Sequence, residues 1–205
     1  MTETEHSHFT QSGLYGIDRV PYGMHACHVY SDRNELIAAV IPYLVAGLRA
    51  NERCLWIAAP PLPASEAVQA LRAAWQGCDE ALETGALRIL DFDQWYATSS
   101  HLKGLDVVQL WLEEEERALS EGYSGLRITE NTSFLTPDDW SAFMEYERAV
   151  TACFNGRRIV ALCSYALADL NGQKASDIMD THHCALGRAD VYWQVVMPKE
   201  MRGIP

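Results

Sequence analysis

The residues most capable of chemistry in this sequence fall in two short clusters, His25-Ala26-Cys27-His28 and His182-His183-Cys184, with Cys163 between them. Thiolate and imidazole donors together suit zinc or copper, whose borderline-soft cations accept one lone pair from each. Neither the short spacing inside each cluster nor the long gap between them matches a standard zinc motif. The residue types therefore admit two readings: a metal set of His25, Cys27, Cys163 and His182, or core thiols beside hydrogen-bonded histidines. Residues two apart in a strand share a face, so His25 and Cys27 should point together and His28 away.

Carboxylates supply the second candidate chemistry. Glu130 closes the apolar run Leu126-Arg127-Ile128-Thr129 and reads either as a buried acid anchoring a ligand or as an exposed turn residue. Asp91 and Asp93 flank Phe92 and could pair with Glu130, although acids in loops commonly serve as caps and turns. A Glu/His pair is what an acid/base enzyme would need. Other catalytic signatures are missing. The turn Tyr30-Ser31-Asp32-Arg33-Asn34-Glu35 has no glycine to wrap a phosphate, no Lys-Ser/Thr pair, and two acids that would repel one, so ATP binding by a P-loop mechanism is not expected. There is no Gly-x-Ser-x-Gly elbow and no Gly-x-Gly-x-x-Gly after a strand. The chain reads better as a binding module than as an enzyme.

The elements that must position these groups alternate between strand and helix. Residues 24–30 read as a first strand, followed by a cap at 31–35 and a helix whose Leu36, Ile37, Val40, Leu44 and Leu48 share one face. Residues 53–59 form a nearly continuous apolar run, as a buried parallel strand does, and Pro60, Pro61 and Pro63 end it. A helix from Ser65 through Ala67, Leu71 and Trp75, a strand at 87–92, a loop with Ser99, Ser100, His101 and Gly104, and a helix marked by Leu105, Val108, Leu112 and Leu119 follow. A strand at 125–130 precedes Thr136-Pro137-Asp138-Asp139, which carries a cap hydroxyl, Pro at the first helical position and acids facing the helix dipole. That helix should run towards Phe154, with further strands at 158–165 and 190–196 around a short helix at 176–181. Parallel strands need crossover connections, which helices supply. The order predicts an α/β fold: one domain over 21–205 with a mainly parallel sheet, helices on both faces, and a polar arm at 1–20. Ligands of such sheets bind beyond the carboxyl ends of the strands, which here present Tyr30, Glu130 and Tyr165.

With 48% hydrophobic and 21% charged residues, a chain of 205 residues buries a full core. A formal net charge of -12 argues against direct binding to nucleic acid or an anionic membrane, since both require clustered Lys and Arg. The run Glu113-Glu114-Glu115-Glu116 reads as a solvated helix face. No apolar run reaches bilayer length, and six widely spaced cysteines fit reduced thiols in a cytoplasm.

Several segments together resemble the MEDS domain, the methanogen/methylotroph sensory domain of the DcmR type. They are His25-Ala26-Cys27-His28-Val29-Tyr30 with Glu35-Leu36, Gly47-Leu48-Arg49-Ala50-Asn51-Glu52-Arg53-Cys54, and Gly122-Tyr123-Ser124-Gly125-Leu126-Arg127-Ile128-Thr129-Glu130. Later come Tyr146-Glu147, Ala161-Leu162-Cys163-Ser164-Tyr165 and Thr181-His182-His183. The sequence departs from the family at His183, where Pro is more typical. The resemblance implies a degenerate RecA/KaiC-like fold that has lost its P-loop, and the sensing of small hydrocarbon or C1 derivatives. Family members usually sit beside a helix-turn-helix or a histidine kinase, and the sequence carries neither motif. A cytoplasmic sensor is therefore expected to bind a small organic ligand and to signal through a separate kinase or transcription regulator, with a homo-oligomer open. The expected ligand site is His25, Cys27, Tyr30, Glu130, Cys163, Tyr165 and His182. The alternatives are a metal- or redox-responsive sensor using the His/Cys clusters and an enzyme using a Glu/His pair.

Overall fold

The computed structural model describes residues 8–96, 105–189 and 192–196. The loop at Ser99, Ser100, His101 and Gly104 lies outside them, as do Asp190 and Val191. In chain order the elements are β1 (Phe9–Leu14), β2 (Ile17–Pro21), β3 (His25–Tyr30), α1 (Arg33–Arg49), β4 (Arg53–Ala58), α2 (Ala64–Ala74), α3 (Cys78–Glu83), β5 (Leu87–Asp91), α4 (Phe92–Tyr96) and α5 (Leu105–Ser120). They continue with β6 (Leu126–Asn131), α6 (Trp140–Phe154), β7 (Ile159–Ala166), α7 (Gly172–Thr181), β8 (Cys184–Ala189) and β9 (Tyr192–Val196). No helix among the described residues is long and apolar enough to cross a membrane.

Seven strands form one sheet in the order β5-β4-β6-β7-β3-β8-β9, parallel throughout except for the edge pair β8 and β9. The central strands β4 and β6 are buried at every position because helices cover both of their faces, which is why their sequences alternate so little. On one face Trp56, Val160 and Leu162 meet Leu36, Val40 and Leu44 of α1 and Leu71 of α2. On the other, Leu55, Ile128 and Ala161 meet Trp111 of α5, Phe143 and Val150 of α6, and Ile178 of α7. One turn of 3-10 helix at Pro137–Asp139 leads into α6 through a capping box made by Thr136 and Asp139, as the Thr-Pro-Asp-Asp signal implies.

Three expectations need correction. The supposed polar arm folds: β1 pairs antiparallel with β2, and its inward residues Thr10, Ser12 and Leu14 are buried against the domain. It reads as polar because the Thr10 hydroxyl meets a buried arginine, Arg127, and the Ser12 hydroxyl accepts from the Leu14 amide within the hairpin. Second, the strand expected at 190–196 is preceded by another, β8, which begins at Cys184 directly after His182-His183 and runs parallel to β3, with the His183 amide donating to the His25 carbonyl at 2.9 Å. Third, the acidic run is not a solvated face. Glu114 and Glu115 are buried, Glu114 against Arg88 at 2.9 Å and Glu115 against Arg157 at 3.1 Å and the Arg158 amide at 2.5 Å. Successive helical residues turn by about 100°, so four acids in a row encircle the helix and some must face inward.

Candidate functional site

The alternation of strand side chains puts His25 and Cys27 of β3, Cys163 of β7 and Glu130 of β6 on the face covered by α6. Helix α6 lays Phe143, Val150 and Phe154 on that face at helical spacing, and Glu147 stands in the same stripe, fully buried. His182 enters from the end of α7. A carboxylate in an otherwise apolar helical stripe is the signal by which the sequence marks Glu147.

Four donor atoms converge there, from His25, Glu147, Cys163 and His182, all within 4.8 Å of one another. His25 Nε2 lies 3.2 Å from Glu147 Oε2 and 3.2 Å from Cys163 Sγ, and His182 Nε2 lies 2.9 Å from Glu147 Oε2. The two imidazole rings are 4.1 Å apart. Despite these short separations, His182 Nε2 and both Glu147 oxygens make no well-aligned hydrogen bond. The outer ring nitrogens do: His25 Nδ1 meets Thr151 Oγ1 at 2.7 Å, and His182 Nδ1 meets the Ile178 carbonyl at 2.8 Å.

Burial shapes the charges. Loss of solvent, reinforced by the neighbouring His182, lowers His25 to about 4 and favours its neutral form. Burial alone would raise Glu147, but the two imidazoles outweigh it and hold the carboxyl below the usual range. Burial, then repulsion from Glu147, pushes Glu130 up to about 8, and the Tyr96 hydroxyl donates to its Oε2 at 2.9 Å. One acid is thus kept charged and its neighbour neutral.

His25, Cys163 and His182 come together as the sequence reading grouped them, and Glu130 joins through Cys163 Sγ at 3.8 Å. Tyr165 borders the cluster edge-on to His182, with ring centroids 5.8 Å apart and its hydroxyl buried without a hydrogen-bond partner. Cys27 shares the face but is replaced in the cluster by Glu147, its thiol donating instead to the Cys184 carbonyl at 3.6 Å. Tyr30 sits on the opposite face among the α1 residues, because it is an odd number of residues from Cys27. The cluster also lies under α6 rather than at the carboxyl edge, since strand side chains project perpendicular to the sheet. The cavity lined by His25, Glu130, Glu147 and Cys163 is about 10 Å³, room for one water or ion. A second cavity of about 70 Å³ lies alongside, walled by Tyr96, Val107, Leu135, Phe143 and Tyr146, with Asp139 and Ala142 also lining it.

At the carboxyl edge the chain fills its own crevices. Asp32 Oδ1 accepts from the Asn34 and Glu35 amides at 2.7 and 3.0 Å, taking helix N-terminal donors that would otherwise face an anion. Between β4 and β6, where successive connections diverge, Asn131 accepts from the Ala59 amide and donates to the Ala59 and Pro60 carbonyls, each at 2.8 Å.

The family described as MEDS, MEthanogen/methylotroph, DcmR Sensory domain, matches residues 24–183. No curated protein matches the chain. Among solved structures, the flagellar accessory protein FlaH from Methanocaldococcus jannaschii is similar with a TM-score of 0.54 at 14% identity, over 90% of this chain and 83% of that one. That likeness bears on the fold alone and agrees with the RecA-like arrangement of the parallel sheet.

Proposed function

This chain belongs to the MEDS family of sensory domains, and from that premise we propose that it senses a small organic molecule held in the cavity between α4, α5 and α6. The observation that carries the reading is the cavity itself: about 70 Å³, mostly apolar, and bounded by two tyrosines whose hydroxyls already serve buried groups. A water needs about 10–15 Å³ by the same measure, so the space suits a molecule of only a few heavy atoms, such as a C1 to C3 hydrocarbon derivative. The His/Cys cluster is too tight for such a ligand.

Ligand contact would be felt in the core. Tyr96 donates to Glu130, and Tyr146 accepts from Trp111 Nε1 at 2.7 Å while preceding Glu147 in α6. A molecule pressing on either ring therefore shifts α6 against the sheet. The output passes to a separate signalling protein, a kinase or transcription regulator, in the cytoplasm. No covalent step is invoked, and Glu130 and the histidines act as buried polar supports rather than as an acid/base pair.

The test is titration of the full chain with small alcohols, aldehydes and halocarbons, followed by methyl and indole NMR shifts. Saturable binding should be abolished by Ala142→Phe, which plugs the cavity from an exposed helix position, and should survive Ser141→Phe on the neighbouring exposed position. Binding insensitive to Ala142→Phe, or no binding across the panel, would refute the cavity as the sensor site.

A further inference from the structure

We propose that His25 Nε2, His182 Nε2, Cys163 Sγ and Glu147 Oε2 form a tetrahedral site for one divalent cation of the zinc type. The hydrogen bonds around the cluster fix which ring nitrogens are available. The Ile178 carbonyl can only accept, so His182 Nδ1 carries a proton. Thr151 Oγ1 donates its single proton to the Thr181 carbonyl at 2.5 Å, so it must accept from His25 Nδ1. With Nδ1 of each ring engaged outward, both Nε2 atoms are left facing Glu147 Oε2, at 3.2 and 2.9 Å, and a ring in its neutral form turns a bare lone pair there. Lone pairs facing an anion at that distance repel unless a cation lies among them.

Geometry decides between a proton and a metal. A proton bridging His182 and Glu147 needs a nearly linear N–H···O line. Here the two atoms are close yet poorly aligned, leaving three buried polar atoms without a hydrogen bond. A cation placed among them would give all three a partner. Ligands of a tetrahedral Zn2+ with bonds of about 2.0–2.3 Å stand about 3.3–3.7 Å apart; three of the pairs here are 2.9–3.2 Å apart and all four atoms lie within 4.8 Å of one another, so small side-chain shifts reach that geometry. A space of about 10 Å³ borders three of the four ligands, His25, Glu147 and Cys163.

Charge and support also fit. The dication would meet one carboxylate and one thiolate, a neutral set that can stay buried. Binding displaces the Cys163 thiol proton and any proton held between His182 and Glu147, and both go to solvent. Thr151 and the Ile178 carbonyl orient the two imidazoles through their outer nitrogens, as supports of metal-bound histidines do. With four protein ligands the site is closed, so its role is to brace α6 and the end of α7 against β3 and β7. It stands independently of the organic-ligand reading.

The test uses the untagged full chain, unfolded in guanidinium and refolded with a chelator, with Zn2+ or with Co2+. We expect one metal per chain after desalting, a higher Tm with Zn2+, and for Co2+ the visible bands of a tetrahedral site with a near-ultraviolet thiolate charge-transfer band. Cys163→Ser should remove the charge-transfer band, while Cys153→Ser, at an exposed thiol, should keep it. Thr151→Val should leave the four ligands in place and weaken Co2+ about 10–100-fold. The site is disproved if the refolded parent retains no metal and melts identically with chelator and with Zn2+. Survival of the charge-transfer band in Cys163→Ser would also overturn it, by placing the metal on another thiol.

Discussion

Replacing Arg127 should be among the most damaging single changes available in this chain. The guanidinium is fully buried and its Nε donates to Glu52 Oε2 at 2.5 Å. Its remaining donors reach the Tyr43 carbonyl at 2.9 Å, the Gln11 carbonyl at 2.8 Å and Thr10 Oγ1 at 3.2 Å, and its plane lies 4.6 Å from the Tyr43 ring centroid. Gly47 leaves the space for this, since a Cβ there would stand 2.4 Å from Arg127 Nε. Arg127→Met strips Glu52 of its counter-charge while the carboxylate stays buried, retaining only the Tyr22 hydroxyl at 2.7 Å. Removing one partner of such a pair costs about 3–5 kcal/mol, a large share of a domain's typical 5–15 kcal/mol. Glu52→Leu should cost a similar amount by stranding the guanidinium. The double variant leaves no buried charge, so its loss should fall short of the sum by about 2 kcal/mol or more. Urea unfolding followed by tryptophan fluorescence measures all four corners of the cycle, and limited proteolysis reports release of β1 and β2. Single-variant losses under about 1 kcal/mol, or strict additivity, would refute the view that this pair locks the hairpin to the sheet.

Burial lowers His28 from 6.5 to about 4, partly offset by the charge of Glu35. Its folded pKa lies below its unfolded one, so the stability it contributes is complete above about pH 6.5 and is lost as pH falls towards 4, a total of about 3 kcal/mol. Between about pH 7 and pH 5 the parent should lose about 2 kcal/mol more than His28→Leu, and equal losses by urea unfolding would remove His28 as the cause. Asn131→Leu strands the buried Ala59 amide and carbonyl and should cost about 2–4 kcal/mol. A change in Tm too small for 1 kcal/mol would show that the β4–β6 crevice does not depend on that side chain.

Much of the fold was legible because its signals are local. Cap and proline placed the start of the helix ending at Phe154, the nearly continuous apolar run of residues 53–59 announced a strand covered on both faces, and strand alternation separated His28 from His25 and Cys27. Each of these depends on a backbone period of two or 3.6 residues, which a sequence carries in plain order. The hairpin at β1 and β2 is hidden in the sequence because two of the three inward residues of β1 are polar: Thr10 meets Arg127, more than a hundred positions away, and Ser12 bonds the hairpin's own backbone.

The sequence by itself determined the alternation of the main strands and helices from β3 to β7, the missing phosphate loop, and the residue types from which the site is drawn. Tertiary structure decided which of them meet. Register between β3 and β7 sets Cys27 opposite Cys163, yet the packing of α6 brings Glu147 to His25, His182 and Cys163 and leaves Cys27 to a backbone carbonyl. The same packing makes the space at the cluster atom-sized and opens the larger cavity beside Tyr146. Convergence of residues 25, 147, 163 and 182 is a consequence of how helices seat on a sheet, a relation between distant segments that no local period encodes.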